Sequence, residues 1–202
     1  IPGEGDLSYR KGASTVLGYV GVIGQQEGMD LLVAAVDHLV RDMGRTDLHV
    51  VIVGFGPHLD IVQEDVKSRA LEPYFTFTGA LYGADMLAAL NAIDIGVAPD
   101  PKNAMNDIST MNKVMEYMTL EKPSVQFALT EGRVSAQDAS LYANANDPVD
   151  FATKIATLMD DPAARTRMGQ MGRERVLGAL SWGHSVPHLL AAYDRIFRKR
   201  GS

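Results

Sequence analysis

Short apolar runs alternate along this chain with segments of helical periodicity, and that alternation constrains the fold more than any other feature. Residues 15–23 form a β-rich run ending at Gly24. Residues 29–43 then place Leu31, Leu32, Ala35, Val36, Leu39, Val40 and Met43 at helical spacing. The pairing recurs as a run at 49–53 before a helix at 59–69, and 74–78 before 84–91. It recurs again as 93–98 before a loop and a helix over 110–118. Further runs fall at 124–129 and 141–143, and helices are predicted over 148–159, 162–177 and 186–198, with Pro162 suited to a helix start. Most of the runs do not alternate apolar with polar, so they predict strands buried on both faces of a parallel sheet. Right-handed crossovers then give an α/β, doubly wound, Rossmann-like domain with helices on both faces, plus C-terminal helices. Such sheets bind ligands beyond the carboxyl ends of their strands, which directs attention to loops 21–28, 54–58, 79–83 and 99–110.

Composition narrows the class. The 202 residues suffice for one domain with a sizeable core, and 46% apolar with 22% charged is a soluble globular balance. A net charge of -6 argues against a nucleic-acid-binding surface, which needs clustered Lys and Arg. The basic cluster at 195–200 reads as a solvated helix tail. The absence of cysteine excludes disulfides and thiolate metal sites and fits a reducing compartment. No apolar run is long enough to span a bilayer, and no signal peptide is visible. The opening is turn-rich, so residues 1–14 are expected to be the remnant of an interdomain linker and 15–200 the domain proper. Gly201-Ser202 is read as a cloning remnant.

Two motifs carry the chemistry. Gly54-x-Gly56 follows a strand and reads as a tight strand-to-helix turn or as a partial dinucleotide fingerprint. The third glycine of a fingerprint would stand at Leu59. The second motif runs from Asn106 to Met118. Met111, Val114, Met115 and Met118 share one helix face and read as core, not as a cofactor box. Asn112, Lys113 and Glu116 share the other side. That side is either a solvated Lys–Glu pair or an anion site. A Lys in the first turn followed by a Glu is the poorer order for helix stability, so the pattern makes more sense with an anion at the helix start. Ser109 and Thr110 hydroxyls and free amides would then hold a phosphate, with Lys113 adding charge and Glu116 accepting from ribose hydroxyls.

The segment Glu116-Tyr117-Met118-Thr119-Leu120-Glu121-Lys122-Pro123-Ser124-Val125 resembles the donor-site signature of retaining GT-B glycosyltransferases of group 1 (family 4). Other landmarks agree in order: Gly18-Tyr19-Val20-Gly21, Val51-Ile52-Val53-Gly54, Phe75-Thr76-Phe77-Thr78-Gly79, Asp94-Ile95-Gly96-Val97-Ala98-Pro99 and Asp161-Pro162. The resemblance implies one half of a two-domain enzyme that transfers a sugar from a nucleotide-diphospho-sugar, with no cofactor and no metal. The implied partners are that donor, a sugar or lipid-linked acceptor, and an N-terminal acceptor domain absent from this chain. It also implies a cytoplasmic protein, with association of the full protein at the inner membrane surface. The final helix of such proteins crosses to the other domain, so apolar surface exposed by its absence is expected, and the fragment is expected to be inactive alone.

By position, Glu116 resembles the ribose-binding second Glu of the family's Glu-x7-Glu motif. Glu116, Lys113 and Asp107 are the residues expected to carry the chemistry, and Gly21, Gln25, Gly54, Gly79, Leu81, Ile108, Ser109, Thr110 and Met111 are the expected donor contacts. Three positions depart from the family. Val22 and Glu27 stand where an Arg and a Lys often hold the diphosphate. Ile108 stands where the first Glu falls, with Asp107 the nearest acid. Glu121 replaces the Gly before Lys-Pro. Lys113 is expected to take over the missing charge, and Gln25 and Gln26 to add neutral hydrogen bonds. Other chemistries find little support. His184 and His188 lack the intervening acid of a zincin and read as ordinary helix residues, and Glu131 with Arg133 reads as a surface ion pair. A nucleotide-sugar 2-epimerase and a non-catalytic nucleotide-binding module are the alternative readings.

Overall fold

The six apolar runs become the strands of one sheet in the computed structural model, which describes residues 2–200. They are β1 (Thr15–Val20), β2 (Leu48–Val53), β3 (Phe75–Gly79), β4 (Ile95–Ala98), β5 (Ser124–Phe127) and β6 (Ser140–Ala143). Every neighbouring pair is parallel, in the order β3-β2-β1-β4-β5-β6. β1, β2, β4 and β5 are buried at every position, because both faces of the sheet are covered.

On one face Leu17, Tyr19, Val50 and Ile52 meet α1 (Met29–Arg41), α2 (Leu59–Ser68) and α6 (Pro148–Asp160) through Leu32, Val36, Val62, Phe151 and Ile155. On the other, Val16, Val20, Val51 and Val53 meet α3 (Gly83–Ala92) and α4 (Asn112–Thr119) through Ala89, Leu90, Tyr117 and Leu120. The methionine stripe of α4 is core, as its period predicts: Val114 and Met118 are buried with Ala136 of α5 (Thr130–Ala136), and Met111 and Met115 pack beside them.

The strand order reverses between β1 and β4, and this switch point decides where a ligand can lie. The two strands pair only at Leu17 with Ile95 and Gly18 with Gly96. Gly96 has to be bare: a Cβ there would stand 2.3 Å from the Tyr117 ring. Past this pair the strands diverge, leaving the Val20 amide and the Val97 carbonyl apart. The Tyr117 hydroxyl bridges them, accepting from Val20 N at 3.2 Å and donating to Val97 O at 3.2 Å. Tyr117 therefore fastens α4 across the switch point.

Several boundaries differ from expectation. α4 begins at Asn112 instead of position 110, because Ser109 and Met111 are extended. α7 (Pro162–Arg175) passes into a π-helical stretch, Val176–Leu180, before α8 (Trp182–Arg200). α8 starts ahead of the expected position 186 and absorbs Pro187 in its second turn, where the missing amide costs a single hydrogen bond. Trp182, Leu190, Tyr193 and Phe197 of α8 are exposed, matching the expected uncovered apolar surface. The opening segment lies against the body of the fold. Leu7–Arg10 forms a 3-10 turn, Asp6 N donates to Ala88 O at 3.1 Å, and Arg10 pairs with Asp94 at 2.9 Å. Ile1, Gly201 and Ser202 lie outside the described residues. Among the described residues no helix is long and apolar enough to cross a membrane.

Candidate functional site

Glycines let the loops beyond β1, β2 and β4 touch backbone to backbone. Gly54 (φ 146°) lies so close to Gly21 that a Cβ on it would meet the Gly21 carbonyl oxygen at 1.9 Å. Gly56 approaches the backbone of Ile23 in the same way. Gly21 N donates to Val53 O and Ile23 N to Phe55 O, so the ladder of β1 and β2 continues into the loops. Gly54-x-Gly56 is thus the tight-turn reading of the motif, with both glycines required by close approach of the β1 loop.

These loops floor an apolar cavity of about 230 Å³ at the carboxyl ends of β1, β2 and β3. Val22, Phe55, Leu81, Tyr82 and Met86 line it together with Gly21 and Gly54, and no charged side chain does. Gly79, beside it, accepts from Gly54 N. Met86 also lines a second cavity of about 190 Å³, formed with Leu87, Leu90, Met115, Thr119, Leu120 and Glu116. Glu116 is half-buried, and burial raises its pKa above the ordinary carboxylate value while Lys113 opposes the rise. Among the described residues its carboxylate takes no hydrogen bond. Gly21, Gly54 and Leu81 thus line one cavity and Glu116 the other, and Met86 is shared by both. Gln25 does not join them. It lines a separate hollow with Gly24, Asp30 and His58.

Lys113 does not stand on a solvated face. It is only 8% exposed, and its Nζ lies 2.6 Å from Asp100 Oδ1 and 3.0 Å from Glu27 Oε2. The physical reason is tertiary: Tyr117 draws α4 over the ends of β1 and β4, so the residue one turn earlier is roofed by their loops. The aliphatic end of Lys113 sits beneath Gly21, with Cε 3.5 Å from where a Gly21 Cβ would stand. The ammonium also lies 5.3 Å from the centre of the Tyr19 ring. Burial raises the pKa of Asp100, against the lowering effect of Lys113, and burial likewise drives the Tyr19 hydroxyl upward.

The loop before α4 is fastened elsewhere than expected. Asp107 accepts from Thr130 N at 2.8 Å and from Thr130 Oγ1 at 2.9 Å, and Lys102 stands 3.3 Å away. Hydrogen bonds from Thr130 and then the Lys102 charge lower its pKa. Ser109 donates to Met105 O at 2.7 Å and Thr110 to Glu131 Oε1 at 2.9 Å, so both hydroxyls are engaged within the protein. Ile108 projects outward, 77% exposed. None of Asp107, Ile108, Ser109, Thr110 or Met111 lines either cavity of the crevice. Glu131 bonds Thr110 and Ser135 instead of Arg133, whose guanidinium lies over the Tyr142 ring at 4.5 Å.

Sequence reasoning missed four positioning residues. Asp100 and Glu27 hold Lys113, and the only signal was a Lys placed in the first turn ahead of a Glu. Asn106 is buried and donates to Gln26 O and Pro101 O, tying the loop after β4 to the loop after β1. Tyr117 was hidden inside the signature segment. Among the described residues no group of three or more His, Asp or Glu side chains is placed to hold a metal.

Comparison with known proteins adds to this geometry. Residues 14–161 match the family described as glycosyl transferases group 1. The sequence is 28% identical over 189 residues to 2-deoxystreptamine glucosyltransferase of Streptomyces kanamyceticus, covering 91% of this chain and 46% of that protein. The fold is similar to sucrose-phosphate synthase from Thermosynechococcus elongatus, with a TM-score of 0.74 at 21% identity over 92% of this chain and 46% of that one. It is also similar to the C-terminal domain of a group 1 glycosyl transferase from Francisella tularensis, with a TM-score of 0.70 at 18% identity over 89% of this chain and 95% of that one. The chain thus spans about half the length of the curated relative it matches, and its fold is one half of a GT-B fold.

Proposed function

The chain belongs to the group 1 glycosyltransferases, and we propose that residues 15–200 supply the donor half of such an enzyme's active site. The donor is a nucleotide-diphospho-sugar, and an N-terminal domain outside this sequence supplies the acceptor half. One observation carries the reading: Glu116 presents an unpaired, half-buried carboxylate beside an apolar cavity that meets the crevice floored by Gly21 and Gly54. A mostly apolar slot with few convergent polar groups suits a nucleoside. The base lies along Leu81 and its neighbours, and the ribose hydroxyls donate to Glu116. The diphosphate then lies over Gly21 and the first turn of α4, which has no side-chain cap at its N-terminus, and Lys113 sits below.

In the reaction the bond from the anomeric carbon to the diphosphate oxygen breaks. An acceptor hydroxyl oxygen bonds that carbon with retention of configuration, and its proton passes to the leaving diphosphate. Helix amides and Lys113 stabilise the charge that develops. The nucleotide sugar is the substrate, and neither a cofactor nor a metal takes part. The acceptor is a glycan, lipid or small molecule. Full turnover needs the acceptor domain, in the cytoplasm and, for a lipid-linked acceptor, at the membrane's inner face. Calorimetric titration of this chain with UDP, GDP, ADP and TDP tests the reading. One of them binds, and Glu116→Ala weakens it about ten- to a hundredfold, as expected for a charged hydrogen bond. Unchanged affinity in that variant, or binding of none, contradicts it.

A further inference from the structure

Lys113 carries one positive charge between two carboxylates, and the two are held differently. Asp100 closes on Nζ at 2.6 Å with its side chain 3% exposed, and its second oxygen is buried without a partner. It lies two residues past the end of β4 and is buried there. Glu27 reaches the same Nζ at 3.0 Å with its side chain 20% exposed. It ends a three-residue 3-10 turn, Gln25–Glu27, bounded by Gly24 and by Gly28 at φ 66°. Its other contact is the Tyr19 hydroxyl at 3.4 Å, which already donates to Val22 O at 2.7 Å. Asp100 alone balances the ammonium, so Glu27 is the surplus negative charge. Lys113, which Glu27 pairs with, lies against the glycine turn that floors the crevice, its Cε 3.5 Å from a Cβ position on Gly21.

We infer that Glu27 occupies, on Lys113, the place taken by the donor's diphosphate, and that its carboxylate swings aside on the Gly24–Gly28 turn when the donor binds. Glu27 thereby sets how tightly charged donors are held, while the nucleoside end of the donor does not sense it. The inference rests on the donor-half reading above. Until the carboxylate moves, an incoming diphosphate meets a like charge beside the only cation beneath it among the described residues of the crevice.

The test compares wild type with Glu27→Gln by calorimetry, using UDP, GDP and ADP, each beside its own nucleoside. The amide removes the charge and keeps the size, and Glu27→Ala is measured alongside. Both variants should bind the preferred diphosphate about tenfold more tightly than wild type and the nucleoside equally. Diphosphate affinity that is unchanged or weaker overturns the inference alone, as does an equal gain for nucleoside and diphosphate. If neither wild type nor variant binds any diphosphate, the donor-half reading falls and this inference falls with it.

Discussion

Tyr117→Phe isolates the bond that fixes α4 to the sheet. The ring stays over Gly96, so no cavity opens, and only the hydroxyl is lost. That hydroxyl serves two buried groups, the Val20 amide and the Val97 carbonyl, each at 3.2 Å. A buried amide left unpaired costs about 1–3 kcal/mol, and a carbonyl with a second lone pair costs less. The bonds are at the long end of the range, so about 2 kcal/mol is expected in total. For a chain of this size that corresponds to a fall in Tm of about 5 °C. Urea denaturation gives the free energy, and hydrogen exchange gives the location, because protection of the Val20 amide should drop to the level of local opening. A loss below about 0.5 kcal/mol with Val20 still protected would refute the claim that Tyr117 closes the gap between β1 and β4.

Further outcomes follow from the same network. Lys113→Met leaves Asp100 buried without its cation and should cost about 3–5 kcal/mol at neutral pH. Asp100 already has a raised pKa from burial and loses the charge that opposes the rise. A carboxylate raised in the fold penalises stability once it is ionised, so the deficit should shrink as pH falls through its folded pKa. A gap independent of pH in parallel urea titrations would contradict this. Gly54→Ala must place a Cβ within contact of the Gly21 carbonyl at a left-handed φ, and should cost roughly 3 kcal/mol and abolish nucleotide binding; a wild-type melting curve would count against the close approach. Asp107→Ala should speed hydrogen exchange in residues 106–111 and at the start of α5 while leaving β1 and β4 protected. Because Asp107 has a lowered pKa, the same loosening should appear in wild type as pH falls below the ordinary carboxylate range, and exchange that ignores pH would argue against the clasp.

The strands were legible because each is a short apolar run whose neighbours in sequence carry helical period, and a sheet covered on both faces needs nothing else from its strands. That Glu116 lies off the core face of α4 was legible for a related reason: the methionine stripe orients the helix. Lys113 was not, because periodicity on one helix says nothing about which loops roof it. Its partners come from residues 13 and 86 positions away. The hydroxyls of Ser109 and Thr110 are both engaged within the protein. Ser109 bonds the carbonyl four residues back, an option always open to a hydroxyl in a turn. Thr110 finds Glu131, whose expected partner Arg133 stacks on Tyr142.

The central claim is that the crevice between the β1–β3 loops and α4 is a donor site. A crystal structure of this chain grown with the nucleoside diphosphate it binds most tightly tests that claim most directly. Ribose hydroxyls are expected within hydrogen-bond distance of Glu116, the base along Leu81, and the diphosphate over Gly21 with the Glu27 carboxylate turned away from Lys113. A nucleotide seated elsewhere, with Glu116 facing solvent alone, would contradict it.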